Sequence, residues 1–319
     1  MANRLEGKVA IVTGAGRGIG RAEALALAAE GCAVVVNDLG GAPDGTGAST
    51  SPADEVVEEI RKMGGRAVAN YDSVASMEAG ERMVRQALDT FGRLDILVNN
   101  AGILRDRMIF NMTEEEWDAV IAVHLKGHFT VTKYASMVFR QQRSGRIINT
   151  SSESGLGNMG QANYSAAKEG IVGLTRTLAR DLGRYGVTAN AIRPRAKSRL
   201  TVSPQMEEAA RRAREAGLRT DTSDVIQMME KLLPEYVAPL VVYLALDEAG
   251  YINGRDFLVG GPQISLMSLP GPERTIWNPR GYWTVDELVA IMPQTLGQGL
   301  KNPWAPKEQA QPQQAPASS

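Results

Sequence analysis

Up to residue 192 the chain alternates short, continuous apolar runs with longer stretches in which apolar residues recur every three or four positions. The runs at Lys8 to Thr13, Ala33 to Asp38, Ala67 to Ala69, Leu94 to Asn99, Arg146 to Thr150 and Val187 to Ile192 predict strands. Segments such as Ile11-Val12-Thr13 and Val34-Val35-Val36 lack the polar alternation of a half-exposed strand, so they predict a parallel sheet covered on both faces. Helical periodicity predicts helices near 19–30, 52–63, 76–91, 114–142 and 161–184, and Thr113 followed by Glu116 makes a capping-box start for the fourth. This order specifies an α/β fold, a doubly wound parallel sheet whose ligands sit at the carboxyl ends of the strands. After Ile192 the alternation lapses for about 40 residues, then resumes with a helix near 235–247 and a short strand at Asp256 to Val259. Long insertions in compact folds are usually functional, so residues 193–233 are expected to form a substrate loop.

Composition narrows the partners. The 319 residues carry 35 lysines and arginines against 36 aspartates and glutamates, so no whole-chain field recruits nucleic acid or an anionic membrane. The longest apolar stretch, Tyr236 to Leu246, is about half a membrane span and is interrupted by Pro239. The start runs directly into the first predicted strand, so no secretory signal is expected. The single cysteine, Cys32, adjoins the apolar run at 33–36, which predicts a buried, inert thiol; no disulfide and no metal site is expected, and the chain fits a reducing compartment. The pattern and composition lead to an expectation of three parts: residues 1–262 as one α/β domain, 263–302 as an ordered extension holding Trp277 and Trp283, and 303–319 as a disordered tail rich in Pro, Gln, Ala and Ser.

The first predicted strand ends in Thr13-Gly14-Ala15-Gly16-Arg17-Gly18-Ile19-Gly20 and opens onto a helix-patterned stretch. Gly14, Gly18 and Gly20 allow a tight turn and let backbone N–H groups approach a pyrophosphate at the positive end of that helix. The second predicted strand ends at Asp38, 18 residues past Gly20, which completes a Rossmann-type fingerprint. The Asp38 carboxylate can accept both hydroxyls of an adenosine ribose and would repel a 2′-phosphate, favouring NAD over NADP. Arg17 argues the other way, since a guanidinium in the turn could pair with that phosphate.

The spacing Gly-x-x-x-Gly-x-Gly, with Asn99-Asn100-Ala101-Gly102 closing the fourth strand and Tyr164-x-x-x-Lys168 further on, resembles the short-chain dehydrogenase/reductase family over roughly residues 5 to 262. The resemblance implies hydride transfer to or from a nicotinamide cofactor. It places Gly14, Arg17, Gly18, Ile19, Gly20, Asp38, Asp72, Ser73, Asn99, Ala101, Gly102, Tyr164 and Lys168 along that cofactor, and implies pairing as dimers or tetramers through the fourth and fifth helices.

Tyr164 and Lys168 lie four apart at a helix start, so both project from one face, and a neighbouring ammonium would bring the tyrosine towards a working base. In the family a serine thirteen residues before the tyrosine holds the substrate oxygen, and that count gives Ser151. Ser152 would then face the opposite way along the strand, and Ser154 would belong to the loop. Where the family usually has a proton-relay asparagine, this chain has His124; His128 has no motif behind it. The Val123-His124-Leu125-Lys126-Gly127 segment, among others, resembles the (3R)-3-hydroxyacyl-CoA dehydrogenases of the family, which implies oxidation of an acyl-CoA, with hydroxysteroids, an NADPH-linked reductase or a non-catalytic nucleotide-binding scaffold as alternatives. Eight basic residues between Arg193 and Arg219 against three acidic ones would suit coenzyme A phosphates. The final Ser318-Ser319 is not a peroxisomal address, and a stand-alone cytoplasmic enzyme is expected.

Overall fold

A computed structural model describes residues 3–197 and 232–304. The seven predicted strands form: β1 (Val9–Thr13), β2 (Ala33–Asn37), β3 (Ala67–Asn70), β4 (Ile96–Asn99), β5 (Gly145–Thr150), β6 (Val187–Pro194) and β7 (Asp256–Gly260). An eighth, β8 (Gln263–Leu266), follows. The strand order is β3-β2-β1-β4-β5-β6-β7-β8, with every pair parallel except β7 with β8. The order reverses between β1 and β4, and it is there that the carboxyl ends of the strands part to form a crevice.

Helices α1 (Gly18–Ala29), α2 (Ser51–Lys62), α3 (Met77–Phe91), α4 (Glu114–Ile121), α5 (Gly127–Gln142), α6 (Ala162–Leu182) and α7 (Ala238–Ala245) accompany the sheet. One apolar core gathers Val12, Val34, Val36 and Ile192 with residues of α1, α2 and α7; the other joins Ile11, Val35, Leu97 and Ile147 to α3 and α5. β1 and β2 are buried at every position, which is why their sequence runs are unbroken. Cys32 is buried and its thiol is pushed up by burial, as its apolar setting predicted.

Three expectations change. The single helix over 114–142 is interrupted by a π-helical turn, Ala122–Lys126, between α4 and α5; the Thr113–Glu116 capping box does start α4. Pro239 lies in the first turn of α7, where its missing N–H breaks no helical bond. β8 extends the first compact unit to Met267, past the expected boundary at 262. The second unit, from Ser268, holds α8 (Val285–Ile291), started by a second capping box at Thr284 and Glu287. Residues 198–231, most of the expected substrate loop, and 305–319, most of the expected tail, lie outside the described residues.

Glu23 is the anomaly of the fold. It is fully buried on α1, neither carboxylate oxygen has a hydrogen-bond partner, and burial pushes its pKa from the ordinary 4.5 up to about 8. The folded chain therefore keeps a proton that the unfolded chain releases above about pH 4.5, so stability is full below that value and falls by ~1.4 kcal/mol per pH unit until pH reaches about 8. Glu23→Met removes the carboxyl at similar volume, and it is expected to stabilise the protein far more at pH 8 than at pH 5. Urea unfolding of both proteins across that range checks this; parallel curves would contradict it.

Candidate active site

The glycine turn sits at the crevice because its glycines present no side chain to the segments packed against them. Gly14 (φ +63°) and Gly18 (φ +55°) adopt left-handed conformations. A Cβ on Gly14 would lie 2.7 Å from Ala101 Cα, so the turn packs directly on the segment after β4. Asn100 locks the two together: its Nδ2 donates to the carbonyls of Thr13 (3.0 Å) and Gly14 (3.1 Å), and its N–H donates to Thr13 Oγ1. The N-cap of α1 is Arg17, which supplies no side-chain cap, and no acidic residue occupies the first turn. The leading N–H groups of α1 thus remain available to an anion at the mouth of the crevice.

Asp38 follows β2 and is held in place by two backbone donors, Gly16 N–H at 2.8 Å and Gly40 N–H at 2.6 Å. Each carboxylate oxygen keeps a further lone pair for a ligand. Together with Gly14, Arg17, Gly18, Ile19, Asp72, Ser73, Ala101 and Gly102, Asp38 lines a cleft of about 300 Å³. The loop after β2 roofs it through Leu39, Gly41, Ala42 and Gly45, with Leu104 N–H bonded to the Pro43 carbonyl and Arg105 to that of Asp44.

Beyond this cleft, α6 brings Tyr164 and Lys168 to the end of β5. Asn163, fully buried, fixes the helix start by donating to the carbonyls of Arg105 and Glu116 (3.0 Å each) and accepting the Tyr164 N–H (2.7 Å). Lys168 Nζ donates to the Thr150 carbonyl at 2.6 Å and lies 5.4 Å from the centroid of the Tyr164 ring. Burial pushes the Lys168 ammonium down to about 7. Burial pushes the Tyr164 phenol up to about 12; the Ser152 side chain, which faces its hydroxyl, opposes that rise, and Asp106 adds to it. The expected lowering of Tyr164 by a charged lysine is thus outweighed by desolvation of both groups in this chain.

The serine assignment changes. Ser151 is 1% exposed and its Oγ donates to the Lys168 carbonyl at 2.8 Å, so it ties β5 to α6 and does not face Tyr164. Ser152, with extended backbone (φ −161°, ψ 157°), points the opposite way, towards the Tyr164 hydroxyl, and accepts the Ser154 N–H. Counting thirteen residues back presumes a fixed loop length between β5 and α6, and a loop shorter by one moves the position onto the opposite face.

His124 lies in the π-helical turn, buried, with its ring edge-on to Tyr164 (centroids 5.1 Å, interplanar angle 87°). Its Nε2 is within hydrogen-bonding distance of both the N–H (3.0 Å) and the carbonyl (2.8 Å) of Ile103, and burial holds it well below the usual histidine range. A neutral ring cannot act as an acid here. The backbone carbonyl of His124 meets the His128 Nδ1 at 2.7 Å. His128 is also buried and pushed down to about 3.

This geometry coincides with a family pattern. Residues 8–201 match the family model described as short chain dehydrogenase. The chain belongs to the short-chain dehydrogenase/reductase family. It is 50% identical over 265 residues to the peroxisomal multifunctional enzyme type 2 of Mus musculus, covering 83% of this chain and 33% of that enzyme. The chain thus spans about a third of that relative's length. It is 44% identical over 302 residues to the hydroxyacyl-CoA dehydrogenase ChsB1 of Mycobacterium tuberculosis, covering 90% of this chain and 88% of that one. Among solved structures, a short chain dehydrogenase from Mycobacterium avium superposes with a TM-score of 0.76 at 44% identity, covering 92% of this chain and 95% of that one. The chain is therefore an oxidoreductase of this family acting on CH–OH groups, related to hydroxyacyl-CoA dehydrogenases, and the family uses NAD(P).

Within that family frame some expected contacts fall elsewhere. Asn99 does not line the cleft: its Nδ2 donates to Thr132 Oγ1 (3.0 Å) and Asn149 Oδ1 (2.9 Å) inside the sheet, and Asn100 faces the glycine turn instead. Gly20 lies beneath the turn, where a Cβ would meet the Gly14 carbonyl at 2.4 Å. Asp72 lines the cleft with its carboxylate paired to Arg82 (Nε, 3.0 Å). Two of the eight basic residues assigned to coenzyme A are internally paired, Arg193 with Asp256 and Glu169 and Arg195 with Glu153. Arg199, Arg211, Arg212, Arg214 and Arg219 lie outside the described residues. No helix among the described residues is long and apolar enough to cross a membrane.

Proposed function

We propose that the protein oxidises a (3R)-3-hydroxyacyl-CoA to the 3-oxoacyl-CoA with NAD. The observation that carries this reading is the convergence of Ser152, Tyr164 and Lys168 beside a cleft built for a dinucleotide. The glycine turn and uncapped α1 fit a pyrophosphate, and Asp38 fits an adenosine ribose diol. When bound, the nicotinamide supplies the hydride acceptor. Ser152 holds the substrate hydroxyl by hydrogen bonding, Tyr164 takes its proton, and Lys168 is placed to stabilise the phenolate once its ammonium is charged. Ser151 and His124 serve the frame: the first joins β5 to α6, and the second packs against the Tyr164 ring.

An apolar substrate suits the rim. Arg107 N–H donates to the Gly160 carbonyl at 2.7 Å, which brings the loop after β4 against the loop before α6. Exposed Ile109 and Phe110 on the first, with Leu156 and Met159 on the second, offer an acyl chain or a fused ring system an apolar surface. The relative named hydroxyacyl-CoA dehydrogenase ChsB1 favours the acyl-CoA over a steroid alcohol. Initial rates of NADH formation from (3R)-3-hydroxydecanoyl-CoA and from a hydroxysteroid, side by side, test the choice. Faster turnover of the steroid would reverse it.

Asp38 carries the preference for NAD, and Asp38→Ala is expected to weaken NAD binding about tenfold while leaving NADP affinity equal or better. Fluorescence titration of NADH and NADPH against both proteins reads this. An unchanged ratio of the two affinities would assign the preference to another residue. Trp117, Phe129 and Met137, exposed on α4 and α5, which together make up the expected fourth helix, support pairing of two copies through that helix and α6, the expected fifth, as dimers or tetramers.

A further inference from the structure

Behind Ser152 lies a charged cluster built on a buried arginine that proton and hydride transfer do not use. Arg193, on β6, is 1% exposed. Its Nε donates to Asp256 Oδ2 on β7 at 2.7 Å, its Nη2 donates to Glu169 Oε2 on α6 at 2.8 Å, and its Nη1 donates to the backbone carbonyl of Ser152 at 2.7 Å. Burial alone would lower its pKa, but the two carboxylates outweigh it and the guanidinium is held charged. The loop is moulded over this group: a Cβ on Gly155 would lie 3.1 Å from Arg193 Nη1 and 2.9 Å from Glu169 Oε2. Arg195, on the other side of Pro194, grips the next loop residue through both oxygens of Glu153.

We propose that Arg193 is a positioning residue for Ser152, fixing from behind the peptide that presents the Ser152 hydroxyl to Tyr164. Ser152 is the second of two residues between β5, which ends at Thr150, and the 3₁₀ turn Glu153–Leu156, so no sheet register holds it. Rotation of its carbonyl would swing the hydroxyl away from Tyr164. Asp256 and Glu169 are sufficient to neutralise the guanidinium, and its third nitrogen is the one aimed at the serine peptide. Lysine has the charge but only one nitrogen, and it cannot reach three elements at once.

The inference rests on Ser152 holding the substrate oxygen, and a double-mutant cycle separates the two. Arg193→Lys, Ser152→Ala and their combination are compared for kcat with (3R)-3-hydroxydecanoyl-CoA and NAD, with NADH affinity measured alongside. Arg193→Lys is expected to lower kcat about tenfold to 100-fold with NADH affinity within about twofold of wild type. In the Ser152→Ala background the same change should have less than about a twofold effect. If Ser152→Ala alone leaves kcat unchanged, the role given to Ser152 fails. If Ser152→Ala is slow and Arg193→Lys slows it further by its full factor, or if Arg193→Lys has no effect in wild type, the positioning role fails. Should Arg193→Lys not fold, Arg193→Met with Asp256→Leu removes the buried pair together with its charges, and the same outcomes apply.

Discussion

Tyr164→Phe is expected to lower kcat for alcohol oxidation by about 10³-fold while leaving NADH affinity nearly unchanged. The substitution removes one oxygen and keeps the ring that packs edge-on to His124 at 5.1 Å and lies 5.4 Å from Lys168 Nζ. The start of α6 stays anchored by Asn163, whose bonds go to the backbone and not to the Tyr164 side chain. What is lost is the proton acceptor alone. Initial rates with saturating NAD, together with NADH fluorescence titration, read the two quantities separately. A mutant as active as wild type would remove Tyr164 from the reaction.

The second large effect distinguishes two adjacent serines. Ser152→Ala is expected to lower kcat by about 10²-fold, because the hydroxyl that holds the reacting oxygen is removed, with a smaller loss of stability, about 0.5 kcal/mol, from the bond that it accepts from the Ser154 N–H. Ser151→Ala is expected to do the reverse. Its hydroxyl is buried and bonded to the Lys168 carbonyl, so its loss costs about 1 kcal/mol of stability and leaves kcat within about threefold. Thermal unfolding and kcat measured on both variants give four values. The opposite pattern would restore the serine thirteen residues before Tyr164 to the site.

These two serines also show where the sequence stops being informative. Strand β5 is buried on both faces, so no polar alternation marks which of its side chains reach the site. Asn149 and Ser151 both bond to the body of α6, at Thr175 and Lys168, and only this pairing reveals that the Ser152 side chain leaves the strand on the side opposite to theirs. The same two-residue period separates Asn99, bonded inside the sheet, from Asn100, bonded to the glycine turn, and there it could have been read in advance.

The glycine turn was legible because its chemistry is local: Gly14 and Gly18 need left-handed backbone, and Asp38 closes the next strand. Arg193 was not, since a count of charges along a segment cannot show that Asp256 and Glu169, brought from two other elements, neutralise it. The break at Ala122–Lys126 is not legible in the sequence because no glycine or proline lies within the π-helical turn, and Gly127 at its end adopts helical backbone and continues into α5. β8 escaped notice because it is a short, exposed edge strand with none of the continuous apolar character of the other strands.

The measurement that tests the account most directly is the initial rate of NADH formation when the wild-type protein receives NAD and (3R)-3-hydroxydecanoyl-CoA, with the 3S ester as control. Steady NADH formation from the 3R ester, far exceeding that from the 3S ester, is the predicted result. No NADH from the 3R ester, with steady formation from a hydroxysteroid, would contradict the substrate assigned here.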